Sequence, residues 1–204
     1  MSIWFVRHGE TELNASRTLQ PADTPLSARG IRQAEAVAQR LASLPLAGLV
    51  SSDLPRAWRT AEAIAKTTGL TPVANPLLHE RNFGDLRGQP YDAFGYDPLR
   101  MHDAPPAGES MVDFAERCQE AFDSLLQYQR QLGGPLVVVS HGLVIRSILM
   151  ALPPSPLLHG ELPRLANTSV TRIAAHYPHQ VHLLNSVEHL TGDLREDHQS
   201  LSGG

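Results

Sequence analysis

Cys118 is the sole cysteine in 204 residues, so no intrachain disulfide can form and the chain must rely on a packed core. Basic charge is not in excess either. Seventeen Lys and Arg stand against 21 Asp and Glu, and the formal net charge of −4 offers no general attraction to nucleic acid or to anionic lipid. Any anionic ligand must then be drawn by local charge. Long apolar runs are missing too, because Ile3-Trp4-Phe5-Val6 is far too short to span a bilayer or to serve as a signal h-region. These absences lead us to expect a soluble, untargeted, cytoplasmic chain. No internal repeat or clear linker divides it, and 42% hydrophobic content suits one core, so a single domain over 1–204 is expected, with a loose polar tail after about Leu190.

Periodicity is plentiful. Apolar residues at Ile31, Ala34, Val37, Ala38 and Leu41 predict a helix from Ser27 to Leu44, capped by Ser27 and stopped by Pro45. Leu49-Val50 reads as a short strand, followed by an alanine-rich helix from Pro55 to Thr68 that closes at Gly69. Pro72 to Asn75 suggests a third strand. From Pro76 to Pro106 periodicity fades among Gly, Pro, Asp and Arg, the mark of a long, ordered, functional loop. Helical spacing resumes from Ser110 to Leu132 and places Cys118 among core positions as a spectator. The strand Leu136–Val139, a helix over about 143–151 and two late strands, Ser169–Ala175 and Val181–Asn185, complete the pattern, with Pro178 near a hairpin turn. Alternating strands and helices imply a three-layer α/β/α sandwich with a mostly parallel sheet, whose ligands bind outside the carboxyl ends of the strands.

Two His-Gly pairs fall at such ends: Arg7-His8-Gly9-Glu10-Thr11 after the first strand, and Ser140-His141-Gly142 after Leu136–Val139. Phosphoryl transfer needs cationic donors for nonbridging oxygens, an in-line nucleophile, and an acid for the leaving oxygen. Arg7 and Arg56 offer planar guanidinium forks, His8 and His141 offer imidazoles, and Glu80 is a carboxyl in the loop region. Each has a bland counterpart. A lone His8 would read as a hydrogen-bonded strand-end histidine, Arg56 could pair with Asp53 on a helix surface, and Glu109 competes with Glu80 as the acid. Gly9 and Gly142 suit simple turns or a close backbone approach to an anion. His176, His179, His182, His189 and His198 form no compact ligand motif and read as a solvated face, so no metal site is expected.

Taken in order, Arg7-His8-Gly9-Glu10-Thr11 with Asn14, Ser52-Asp53-Leu54-Pro55-Arg56-Ala57 before Thr60-Ala61, Glu80 before Phe83-Gly84, Pro106-Ala107-Gly108-Glu109-Ser110, and Ser140-His141-Gly142 resemble the histidine phosphatase superfamily, whose fold is shared with cofactor-dependent phosphoglycerate mutases. The resemblance covers most of the chain. It implies that His8 is the nucleophile, forming a phosphohistidine, while Arg7, Arg56 and His141 surround the phosphoryl group and Asn14 adds a neutral donor. It also implies that Glu80 protonates the leaving group and then activates water. Substrate contacts would extend to Arg17, Gln20, Gly142 and Leu143, with neither cofactor nor metal. The expected partner is a small-molecule phosphomonoester, with neither nucleic acid nor membrane, and Trp4 with the late apolar strands suggests an edge for a homodimer.

Under this mechanism His8 must be neutral, with its other ring nitrogen donating to a fixed acceptor, whereas His141 must carry a proton. An isolated imidazole has a pKa of about 6.5, so His141 needs a nearby anion to stay charged at neutral pH. Activity should fall at alkaline pH as His141 or Glu80 loses its proton, and the acid limb should report His8.

The chain departs from the family pattern in two places. Pro21 stands where glycine is usual, which removes an amide N–H, and Leu86-Arg87 replaces an aromatic and an acid. Mutases resemble a longer chain with a basic insertion, whereas Arg100 is the sole Arg or Lys between Gly88 and Ala107 here. A phosphatase is therefore expected, with a mutase-type phosphotransferase as runner-up and a non-catalytic phospholigand-binding protein on the same fold as a third reading.

Overall fold

The computed structural model describes residues 1–195. Six strands form one sheet: β1 (Ser2–Arg7), β2 (Gly48–Ser51), β3 (Pro72–Ala74), β4 (Leu136–Ser140), β5 (Val170–Ala174) and β6 (Val181–Ser186). Their spatial order is β3-β2-β4-β1-β5-β6. The first four are mutually parallel, and β5 and β6 add an antiparallel pair at one edge. This is the expected mostly parallel α/β architecture.

A single turn, α1 (Glu12–Ala15), follows β1, and four longer α-helices cover the sheet: α2 (Ala28–Leu41), α3 (Pro55–Thr68), α4 (Met111–Leu132) and α5 (Gly142–Ala151). Strand alternation assigns the layers. Val137 and Val139 of β4 pack with Val37 and Leu41 of α2 and Ala61 and Ile64 of α3. Leu136 and Val138 face the other way, against Phe122 and Leu125 of α4 and Ile145 and Ile148 of α5. Every residue of β4 is buried, which suits its apolar run from Leu136 to Val139. Truncating a fully buried residue here, such as Leu41→Ala, should cost about 2–5 kcal/mol.

Local signals set most helix ends. Ser27 accepts from the Gly30 N–H at 3.0 Å and Ser110 from the Asp113 N–H at 3.1 Å. Gly69 and Gly133 close α3 and α4 at φ of 72° and 66°. One end differs from expectation: α2 stops at Leu41 and gives way to a turn, because Pro45 disfavours helical geometry at Leu44. The segment 76–106 is ordered as four short 3₁₀ turns joined by bends.

Other expectations need correction. Trp4 lies on β1, which is paired on both sides by β4 and β5, so it cannot contribute to an exposed sheet edge. The tail is not loose immediately after Leu190. Asp193 and Leu194 accept from Arg29 and Gln33 of α2, and Arg32 pairs with Asp193 at 2.6 Å. The rest of the expected loose tail, with His198, lies outside the described residues. Among those described, no helix is long and apolar enough to cross a membrane.

Candidate active site

Sheet register brings the two His-Gly pairs together. Arg7 is the Cα partner of Ser140 where β1 and β4 end side by side, and Ser51 of β2 is the partner of Val139. The next residues, His8, His141 and Ser52, thus emerge together at the carboxyl edge. Their rings meet, with His8 and His141 centroids 5.1 Å apart. Helix α3, begun by Pro55, carries Arg56 to the same edge, where Arg7 and Arg56 are each 1% exposed.

His8 has a defined tautomer. Its Nδ1 lies 2.6 Å from the Gly9 carbonyl, which can only accept, so Nδ1 carries the proton and Nε2 keeps its lone pair. Burial first, then the charges of Arg56 and Arg7, hold the His8 pKa well below its ordinary value. The ring is neutral, as a nitrogen nucleophile requires. His141 is also held well below its usual value, by burial and then by Arg56, so without a bound anion it is neutral too. Its Nε2 meets Ser52 Oγ at 2.9 Å, while its buried Nδ1 and the buried Nε of Arg56 have no hydrogen-bond partner. Buried polar atoms left in this state are rare and suit donors that await ligand oxygens.

Glu80 completes the cleft. One carboxylate oxygen accepts from the Arg81 N–H at 3.0 Å, and the other from the Leu143 N–H in the first turn of α5 at 3.3 Å. Burial raises its pKa, opposed by these two amides and by Arg56 and Arg7. Arg7, His8, Gln20, Glu80, Arg81 and Tyr91 all line one narrow cleft. Glu109, the competitor, forms a fork with Arg117 at 2.8 Å and accepts from the Asn82 N–H. Asp53 pairs with His79 at 2.5 Å rather than with Arg56.

The remaining expected residues divide. Asn14 is buried beside the cleft, its carbonyl oxygen accepting from Thr11 and Asn167. Gln20 accepts from the Thr11 hydroxyl at 2.8 Å. Gly142 opens α5, and the Leu143 amide is engaged by Glu80. Arg17 is not in the cleft with His8; it lines an adjoining outer cavity. The Pro21 and Ala22 carbonyls accept from Arg56 at 3.3 Å, so that turn presents acceptors to the guanidinium. Half-buried Arg87 lies within electrostatic reach of Arg56. Gly9 has a packing reason for its missing side chain, because a Cβ there would collide with the Gly30 carbonyl. Among the described residues, no group of three or more His, Cys, Asp or Glu could hold a metal ion.

Several residues support the site from behind, and of these only Thr60 belongs to a motif in the sequence. Thr60 accepts from the Gly9 N–H at 3.1 Å. Asn167 donates to the His8 carbonyl at 3.0 Å, and the Thr168 N–H bonds the Arg7 and His8 carbonyls. Thr168 sits at φ 54°, unusual for a β-branched residue. His189 explains part of its hold. Arg40, which can only donate, meets His189 Nδ1 at 3.1 Å, so Nε2 bears the proton and donates to Thr168 Oγ1 at 3.1 Å. Burial and Arg40 push the His189 pKa down to about 4. His189 is therefore structural rather than part of a solvated face.

The sequence model of the histidine phosphatase superfamily (branch 1) matches residues 3–186, and the chain belongs to that superfamily. It is 36% identical over 187 residues to a protein of Yersinia pestis (strain Pestoides F) named probable phosphoglycerate mutase GpmB, covering 85% of this chain and 84% of that protein. Among solved structures it resembles Bacillus stearothermophilus YhfR, with a TM-score of 0.80, 30% identity, and coverage of 92% of this chain and 98% of the other. A mycobacterial glucosyl-3-phosphoglycerate phosphatase solved with VO3 gives a TM-score of 0.76 at 29% identity, covering 91% of this chain and 99% of the other. The phosphoglycerate-mutase-like fold is thus shown.

Proposed function

We propose that this member of the histidine phosphatase superfamily is a metal-independent phosphomonoesterase acting through a phosphohistidine on a small phosphorylated metabolite. The observation that carries the reading is one cleft holding a neutral His8, with Nε2 unprotonated, beside a buried Glu80 whose pKa is raised. In the first step His8 Nε2 attacks phosphorus, the bond to the ester oxygen breaks, and Glu80 gives that oxygen its proton. In the second, Glu80 takes a proton from water as the water oxygen attacks phosphorus. The P–N bond then breaks, and its electron pair returns to Nε2. Ester and water have become alcohol and inorganic phosphate. Arg7 and Arg56 neutralise the nonbridging oxygens throughout, a role that a divalent cation fills in many phosphoryl-transfer enzymes. His141 joins them as a cation once the phosphoryl group raises its pKa.

A mutase is the second reading, favoured by the name of the Yersinia relative. Against it, Arg100, the lone cation of residues 88–107, pairs outward with Asp97 at 3.5 Å and Glu161 at 3.4 Å. That pairing leaves residues 88–107 with no uncommitted Lys or Arg of the kind a mutase's basic insertion supplies. The test is phosphate release from a panel of monoesters in EDTA by wild type and His8→Ala, including 3-phosphoglycerate with catalytic 2,3-bisphosphoglycerate. Metal-free hydrolysis lost in the variant supports the phosphatase; isomerisation without phosphate release makes the protein a mutase; silence in both assays favours a binding protein.

A further inference from the structure

The catalytic cleft has little room beyond the phosphoryl group, with a volume of about 30 Å³. Next to it lies an outer cavity of about 650 Å³, and Tyr91 and Leu99 line both. That volume falls within the range of roughly 300–1,000 Å³ found for metabolite-sized pockets and far exceeds what a three-carbon alcohol fills. Its walls are built. The Tyr91 N–H donates to the Arg17 carbonyl at 2.9 Å, the Leu19 N–H to the Gln89 carbonyl at 3.0 Å, and the Gly88 N–H to the Leu19 carbonyl at 2.7 Å. Arg17 is held at φ 55° between these bonds.

The cavity holds cationic donors without partners. Arg17 and Arg164 both line it, and neither guanidinium has a hydrogen-bond or ion-pair partner among the described residues. Of the two acids present, Asp97 is committed, accepting from the Leu99 N–H at 3.0 Å and pairing with Arg100. Asp92 remains at the exposed rim. Two uncommitted forks against one uncommitted carboxylate leave donors suited to a carboxylate or phosphate, which each fork can bind through two N–H donors. Tyr91 and Tyr96 add aromatic side chains to its lining, and Asp92 offers an acceptor to hydroxyls. Tyr91 stands in the dividing wall, since it lines both spaces.

We propose that the substrate is the phosphomonoester of a sugar-sized polar alcohol bearing a second anionic group, and that Arg17 and Arg164 bind that anion in the outer cavity. This rests on the phosphatase reading, so the test separates the two. Turnover is compared for glucose 6-phosphate, 6-phosphogluconate, glucose 1,6-bisphosphate and 3-phosphoglycerate, with p-nitrophenyl phosphate reporting the chemistry alone. The expected result is a kcat/KM at least about tenfold higher for 6-phosphogluconate or the bisphosphate than for glucose 6-phosphate, as charge-assisted hydrogen bonds allow. It should also exceed that for 3-phosphoglycerate, and the carboxylate and phosphate arms show which anion is read. Arg164→Gln and Arg17→Gln should each bring the ratio to glucose 6-phosphate toward unity, and added salt should compress it. Equal use of glucose 6-phosphate and both dianionic sugars, or a ratio untouched by either substitution, overturns the proposal. Failure to hydrolyse even p-nitrophenyl phosphate overturns the phosphatase reading instead. Equilibrium binding to His8→Ala then decides the subsite: tighter binding of the dianionic sugars than of glucose 6-phosphate supports it, and equal binding rejects it.

Discussion

The floor of the candidate site and its cover are built on different principles. His8, His141, Arg7 and Arg56 stand at the ends of regular elements rooted in the two main cores, and each is at most 1% exposed. The cover, from Gly84 to Arg100, is a series of 3₁₀ turns held by a separate small cluster of Leu19, Phe83 and Leu99. Chemistry needs atoms fixed to a fraction of an ångström, which a sheet supplies. Selection among substrates needs variable side chains, which a loop can change without disturbing that sheet.

The largest expected effect falls on the floor. His8→Ala should lower hydrolysis by at least about 10³-fold, as loss of a covalent nucleophile does, and abolish acid-labile labelling of the protein by radioactive phosphate. Persistent labelling would place the phosphoryl group elsewhere.

Glu80→Gln should cost about 10²–10⁴-fold and also change the pH profile. A His8 pKa below its usual value lets activity rise from acid pH as the ring becomes neutral, and a Glu80 pKa above its usual value sets the alkaline fall as the acid is lost. The variant should lose the alkaline limb that belongs to Glu80; an unchanged limb would assign it to His141.

Glu109→Gln separates the two loop carboxylates. Because Glu109 holds Arg117 in a largely buried fork, its loss should lower stability by about 1–3 kcal/mol in denaturant unfolding and leave the pH profile intact. A shifted profile would return Glu109 to the list of acids.

The smallest effect concerns the support behind His8. Neutral His189 is required for its bonds to Arg40 and Thr168, and its pKa in the fold is about 4, below the ordinary 6.5. The unfolded chain therefore binds the extra proton first, and stability present above pH 6.5 should drain as pH falls toward 4. His189→Gln should flatten that slope in thermal unfolding from pH 7 to 4. A parallel slope in the variant would show that His189 is not its source.

Of these residues, the sequence displays some and hides others. Arg7-His8-Gly9 and Ser140-His141-Gly142 are legible because each follows an apolar strand, and the pairing of β1 with β4 then brings them together. Glu80 is legible only through its neighbours, since Glu109 has the same chemistry. Asn167, Thr168 and His189 are silent in the sequence, because their work is to bond backbone carbonyls and one another across gaps of up to 159 residues. Arg17 is visible as a cation but not as a member of the outer cavity, because its direction depends on pairing with residues 88–91.

The amino-acid sequence by itself thus determined the layer architecture, the helix caps and the chemical inventory of the site, since periodicity, capping and residue type are local properties. Only the tertiary structure decided that His8 is the tautomer with a free Nε2, that Glu109 is spent on Arg117, and that two uncommitted arginines face a cavity beside the cleft. Those facts depend on burial and on partners distant in the chain, and neither exists until the sheet has closed its register.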